Sequence, residues 1–233
     1  MSIKPSGKPD KIYELLRRDI VRLDMAPGAP ISEKDLCARF EVSRTPVREA
    51  LQRLAEEDLV DILPHSGTWV SRISFALAEE GFVLRRALEI ESVRRACSTI
   101  TDQDMAELDA LVAAMRRILD EDRLADYLEI DDAFHAAIAR ISGYPRIWKF
   151  IGLAKVQLDR MRQLSAPVPG HLAEVTEQHA AIVQALARRN VMQAELAMLI
   201  HLDTSFEVMA AIYPGQPELF ADAVASTENE RVG

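Results

Sequence analysis

The stretch from Ser32 to Ser71 constrains this chain most, because helix-forming and helix-breaking signals alternate there at a spacing few folds accommodate. Ser32 with Asp35 resembles a capping box and opens a short helix through Phe40, after which Glu41 and Val42 make a turn. Ser43 then reads as an N-cap. Pro46 is tolerable in a first turn, and Leu51, Leu54 and Ala55 carry the helical pattern to about Glu57. LVDIL, the breaker-rich PHSG and TWVSRI follow as two strands joined by a tight turn. Upstream, Ile12, Leu15, Leu16 and Ile20 recur at helical spacing, and Pro27, Gly28 and Pro30 end that first helix.

Three short helices followed by a hairpin is the winged helix-turn-helix layout. From Phe75 onward strand signals vanish. Helices are predicted near 76–98, 102–121, 124–142, 145–164, 172–189 and 191–212, with Phe75–Gly81 as an alternative separate short helix. Thr101 with Asp104 supports one start, Gly143 and Pro145 mark a stop, and SAPVPG at 165–170 is the clearest loop. The predicted fold is mainly α: an N-terminal winged helix-turn-helix of three helices plus a β-hairpin, then an all-α antiparallel helical bundle. The predicted domains are 1–74 and 75–213, with 214–233 as a polar, frayed C-terminal tail.

The net charge of -9 argues against a nucleic-acid partner until it is divided by region. Residues 1–74 hold 12 Lys+Arg and 12 Asp+Glu, so the acidity belongs to the second domain. A neutral module still holds phosphate if its arginines share a face, because counterion release follows local charge. No apolar run is expected to approach the roughly 18 to 20 residues that span a bilayer, and MSIKPSGKPDK lacks the apolar middle of a signal peptide. The expected compartment is the cytoplasm. Cys37 and Cys97 belong to no metal-type or redox-type pair and read as reduced structural residues.

A recognition helix must present its early residues to the major groove while its later apolar residues pack behind it. Arg44, Thr45 and Arg48 come early here, and Val47, Leu51 and Leu54 supply the packing side. Arg44 and Arg48 stand four residues apart on one face, where a guanidinium fork can pair with guanine or phosphate. Surface ion pairs with Glu41 or Glu49 are the plainer alternative. The run LCARFEVSRTPVREALQRLAEEDLV, followed by LPHSGTWVS, resembles the winged-helix domain of GntR-family regulators from about Lys11 to Ser71. That resemblance implies operator contacts from Arg44, Thr45 and Arg48, assistance from Lys34, and a wing that approaches the minor groove at Gly67. His65 occupies a wing-tip place where the family often has a basic side chain.

In the second domain, polar residues stand inside apolar stripes, as a ligand pocket in a bundle requires. Asp131 and His135 share a stripe with Tyr127, Phe134 and Ile138; His179 shares one with Val175, Ile182, Val183 and Leu186; His201 has Ala194, Ala197 and Val208 as neighbours. One carboxylate and three imidazoles suit a divalent transition metal such as zinc, nickel or manganese. Each histidine taken singly also reads as a core residue with a backbone partner.

Residues 75–213 resemble the FCD ligand-binding domain of the FadR subfamily of GntR regulators. That resemblance implies a metal, zinc foremost, held by Asp131, His135, His179 and His201 and coordinating a carboxylate effector. Asp132 points about 100° away on a helix and is expected in solvent, and His171, beside the loop, is expected on the surface. The resemblance also places Arg85 on the cavity, where it neutralises an acid; a salt bridge with Glu89 is the alternative. Fatty-acyl-binding relatives lack the metal set, which favours a small polar acid.

The expectation is a homodimeric, cytoplasmic transcriptional repressor or activator that binds palindromic double-stranded operator DNA under the control of a small carboxylate, and not an enzyme. The alternative is a metal-dependent hydrolase or lyase acting on a small acid with an attached DNA module, though no general-base motif or nucleophile constellation is visible. A third reading makes the metal itself the effector.

Overall fold

A computed structural model of the chain describes residues 7–121 and 123–221, which group into two compact units. The first runs through Phe75 and takes in residues 216–221; the second is Ala76–Gly215.

In the first unit, α1 (Lys8–Val21) is closed at its start by Asp10, whose carboxylate accepts from the Gly7 amide, and buries Ile12, Leu16 and Ile20. Ser32 accepts from the Asp35 amide and caps α2 (Glu33–Phe40), which ends where Glu41 turns left-handed at φ 53. Ser43 occupies the N-cap of α3 (Arg44–Ala55), but its hydroxyl makes no capping hydrogen bond. The helix is fixed instead by Val47, Ala50, Leu51 and Leu54, all at most 1% exposed. The hairpin of β2 (Val60–Leu63) and β3 (Gly67–Val70) forms as expected. It gains a strand that sequence reasoning missed: β1 (Pro30–Ile31) pairs antiparallel with β3 in the order β1-β3-β2. Proline is allowed there because β1 is an edge.

The tail is not frayed over 214–221. Phe220 is fully buried and forms a parallel bridge with Ile73, whose amide donates to Leu219 and whose carbonyl accepts from Ala221, both at 2.9 Å. The polar terminal sequence dominated the expectation, and one apolar anchor outweighs it locally. Residues 222–233 of the predicted tail lie outside the described residues.

The second unit is helical throughout: α4 (Phe75–Thr99), α5 (Asp102–Asp120), α6 (Leu124–Ile141), α7 (Arg146–Ala154), α8 (Val156–Ser165), α9 (His171–Ala187) and α10 (Val191–Ile212). Thr101 and Asp104 form the expected capping box of α5. The core joins Val93, Leu108, Met115, Phe134, Ile138, Ile182, Leu186 and Met198, as α5 packs on α6 and α9, and α9 on α10. The helix expected over 145–164 is two, broken at Lys155, whereas the stretch from Phe75 is one continuous α4. The two stretches meet at one point. A Cβ on Gly81 would lie 2.4 Å from the Ala154 carbonyl oxygen, so α4 passes the break at backbone distance and only glycine fits.

The expectation that no stretch approaches membrane-spanning length fails for Val191–Gly215, which is apolar and long enough by length and composition. Its helix α10 buries Ala194, Met198, His201 and Leu202 in the bundle along one face.

Because a β-carbon at Gly81 forces backbone apart, Gly81→Ala is expected to destabilise the protein by about 1–3 kcal/mol. Denaturant unfolding monitored by helix content measures this, and wild-type stability in the variant would remove the close-approach argument.

Candidate metal centre and DNA-reading surface

Four side chains from three helices meet in the bundle: Asp131 and His135 one turn apart on α6, His179 on α9 and His201 on α10. All are at most 3% exposed, and one ligand atom from each lies within 4.8 Å of every other. His135 Nε2 is 3.2 Å from His201 Nε2 and 3.4 Å from His179 Nε2. Asp131 Oδ1 is 3.5 Å from His179 Nε2, and Oδ2 is 3.8 Å from His135 Nε2.

The opposite ring nitrogens decide what these atoms are. His135 Nδ1 donates to the Glu89 carboxylate on α4, His201 Nδ1 lies 3.2 Å from Gln178 Oε1, and His179 Nδ1 lies 3.2 Å from Met115 Sδ. Where Nδ1 carries the proton, Nε2 presents a lone pair inward. Lone pairs and a carboxylate facing one another without protons repel unless a cation sits among them, so the donor set fits a divalent metal.

The protonation states agree. Burial pushes His179 down to about 3 and His201 well below its ordinary value. Burial alone would raise Asp131, but the Arg162 guanidinium holds it well below the usual carboxylate range. Glu89 is likewise raised by burial but drawn down to about 2 by His135 and Arg85.

Several surrounding residues differ from expectation. Asp132 keeps the expected access to solvent, with 37% of its side chain exposed, but is also ion-paired: its carboxylate accepts from Arg162 Nη1 at 2.8 Å and Lys155 Nζ at 2.9 Å. His171 is not on the surface; it is 7% exposed because the first turn of α9 packs inward. Arg85 makes the alternative salt bridge and also lines a cavity. Its Nε donates to Glu89 at 2.6 Å, while its Nη2 has no hydrogen-bond partner and the residue lines a cavity with Asp131, Arg162 and His201. Sequence reasoning missed Arg162, which pairs with Asp131, and Glu89 as the partner of a metal-type histidine. The available signal was Lys155, Asp159 and Arg162, which recur at i, i+4 and i+7 and so share one face of a short helix.

In the other unit, Lys34, Arg44, Thr45 and Arg48 are all exposed on α2 and α3. Arg48 pairs with Glu33 at 2.9 Å, not with Glu41 or Glu49. At the hairpin, exposed His65 and Gly67 both take left-handed conformations, at φ 65 and φ 105. His65 is strained there in a way glycine is not.

Comparison with known proteins adds two family matches: residues 8–70 to "Bacterial regulatory proteins, gntR family" and residues 80–204 to the FCD domain. The HTH-type transcriptional repressor RspR of Escherichia coli is 36% identical over 212 residues, covering 91% of this chain and 93% of that one. The HTH-type transcriptional repressor NanR of Cronobacter sakazakii is 30% identical over 229 residues, covering 87% and 85%. Among solved structures, E. coli McbR/YncC superposes with a TM-score of 0.77 at 21% identity, covering 90% of this chain and all of that one. A GntR regulator from Rhodococcus gives 0.75 at 24% identity over 88% and 99%.

Imidazoles kept neutral by burial make stability fall on acidification. The unfolded chain takes up protons below the ordinary histidine value of 6.5, while His179 stays neutral in the fold down to about 3. For chelator-treated protein, stability is therefore expected to drop between pH 6.5 and 5 by about 2 kcal/mol for each of His179 and His201. Urea unfolding at pH 7.5 and 5.0 measures it, and equal midpoints would show that the imidazoles protonate freely in the folded state.

Proposed function

The chain belongs to the GntR family of bacterial transcriptional regulators and to its FCD-bearing, FadR-type branch, and on that premise we propose a homodimeric regulator whose operator affinity is set by a small carboxylate bound at a metal in the FCD domain. The observation that carries the ligand half is the convergence of three imidazole Nε2 atoms and the Asp131 carboxylate beside a cavity lined by Arg85. Asp131, His135, His179 and His201 would hold the metal, which when bound supplies a Lewis-acid centre for one carboxylate oxygen. Glu89 orients His135 from behind, and Arg85 offers a cationic donor to the same acid. Zinc is the first choice, with nickel and manganese as alternatives, since the donor set alone does not choose among them.

For the DNA half, Arg44, Thr45 and Arg48 are assigned to operator contact, Lys34 to phosphate, and Gly67 to the close approach of the wing. In the free protein Glu33 holds Arg48, an exposed pair that duplex phosphates or guanine displace at small cost. A second copy is expected on α10, where Met192, Leu196 and Ile200 are 76%, 54% and 48% exposed at i, i+4 and i+8. Twofold symmetry then matches a palindromic operator. Repression is favoured by the relatives named as repressors, and DNA as partner places the protein in the cytoplasm.

The enzyme alternative has less support. Asp131, Asp132 and Glu89, the carboxylates around the centre, are all held in ion pairs with Arg162, Lys155 or Arg85 and offer no free general base. The same donors serve the reading in which the metal alone is the effector, so the assay must separate metal from acid.

Replacing Arg44 and Arg48 together by alanine is expected to weaken operator binding about 10- to 100-fold per lost contact at constant salt. A mobility-shift titration checks this, and unchanged affinity would end the DNA assignment. Leu196→Glu is expected to yield monomers in sedimentation analysis, and an intact dimer would move the interface elsewhere. With the same operator, a small acid is expected to change affinity in metal-loaded protein and to lose that effect after chelation. A shift produced by metal without acid would instead favour the metal as effector.

A further inference from the structure

The cavity beside the donor cluster gathers buried polar atoms that have no partner. Arg85 Nη2, His171 Nδ1 and Ser205 Oγ are all buried without a hydrogen bond, and all three residues line it, from α4, α9 and α10 respectively. A buried polar atom left unsatisfied is costly, and three in one small space ask for one common partner.

Their chemistry differs. Arg85 is a cation and calls for an anionic oxygen, whereas Ser205 brings a hydroxyl and His171 an imidazole that burial pushes below its ordinary value. An uncharged hydroxyl and an uncharged imidazole can each donate or accept, which suits a hydroxyl group on the ligand better than a second carboxylate. The cavity is about 20 Å³, room for little more than one water, so its walls must part for even a short acid.

We infer that His171 and Ser205 form a specificity subsite that selects a short hydroxy acid, its carboxylate directed to Arg85 and its hydroxyl to the imidazole and serine. This rests on the effector reading above and narrows it to a ligand class.

The test is calorimetric titration of the metal-loaded, full-length protein with propionate, 3-hydroxypropionate and malonate, which differ at one end only. The hydroxy acid is expected to bind about tenfold tighter than propionate, and malonate no tighter than the hydroxy acid. Ser205→Ala and His171→Leu are each expected to erase the tenfold margin while leaving propionate affinity and metal content, measured by elemental analysis, unchanged. If propionate binds but the margin is absent in wild type or survives in both variants, or malonate binds tightest, the subsite is overturned and the effector reading stands. If none of the three acids binds the metal-loaded wild type, both fall together.

Discussion

Everything in the second unit depends on keeping ionised and lone-pair-bearing groups inside a helical core. An ionised carboxylate at 3% exposure is tolerable only when paired, and Asp131 has Arg162 as its partner. Removing one member of such a pair typically costs about 3–5 kcal/mol, more than most single core substitutions. The surrounding arrangement follows from this requirement. Arg162 reaches Asp131 because α8 begins anew at Lys155, and Lys155 can be 3% exposed only because Asp132 and Asp159 receive its ammonium. The helix break, the glycine that lets α4 pass it, and the donor cluster are parts of one electrostatic solution.

The same network gives a physical route between ligand and metal-type donors. Arg85 and Glu89 are one turn apart on α4, Glu89 holds His135, and the Arg85 nitrogen left over faces the cavity. A group that engages Arg85 therefore changes the charge seen by Glu89 and, through it, the basicity of a metal-type histidine. Chain connectivity extends the route. α4 begins five residues after β3 ends, and α10, which carries His201 and Ser205, leads through residues 213–219 to Phe220, anchored beside Ile73. Differential affinity of a ligand for two arrangements of these helices is what a response of the DNA-binding unit requires.

Much of this was legible in the sequence where periodicity and residue type coincide. The recognition helix could be read because Ser43, Pro46, Val47, Leu51 and Leu54 all point to one element, and the donor cluster because histidines are rare inside apolar stripes. What was not legible depends on contacts distant in sequence. β1 is two residues long and exists only because β3 is there to pair with it. His171 follows a breaker-rich loop, a local signal for exposure, and is buried by the packing of α9. α8 reads as polar, yet Arg162 is buried, since its partner Asp131 stands on another helix and leaves no trace in local hydropathy.

The charge count around the cluster bears on the anionic effector proposed above. Arg85 and Arg162 balance Glu89 and Asp131, while Lys155 faces Asp132 and Asp159, leaving one negative charge in excess. A divalent cation among the donors turns this into one positive charge in a dry interior, where an uncompensated charge is strongly disfavoured. A single carboxylate would restore neutrality. On the effector reading proposed above, preference for a small monoanion would arise from the residues that keep Asp131 ionised, and a substitution that altered the charge at Asp132 or Lys155 would change which anion neutralises the site without touching a metal-type donor.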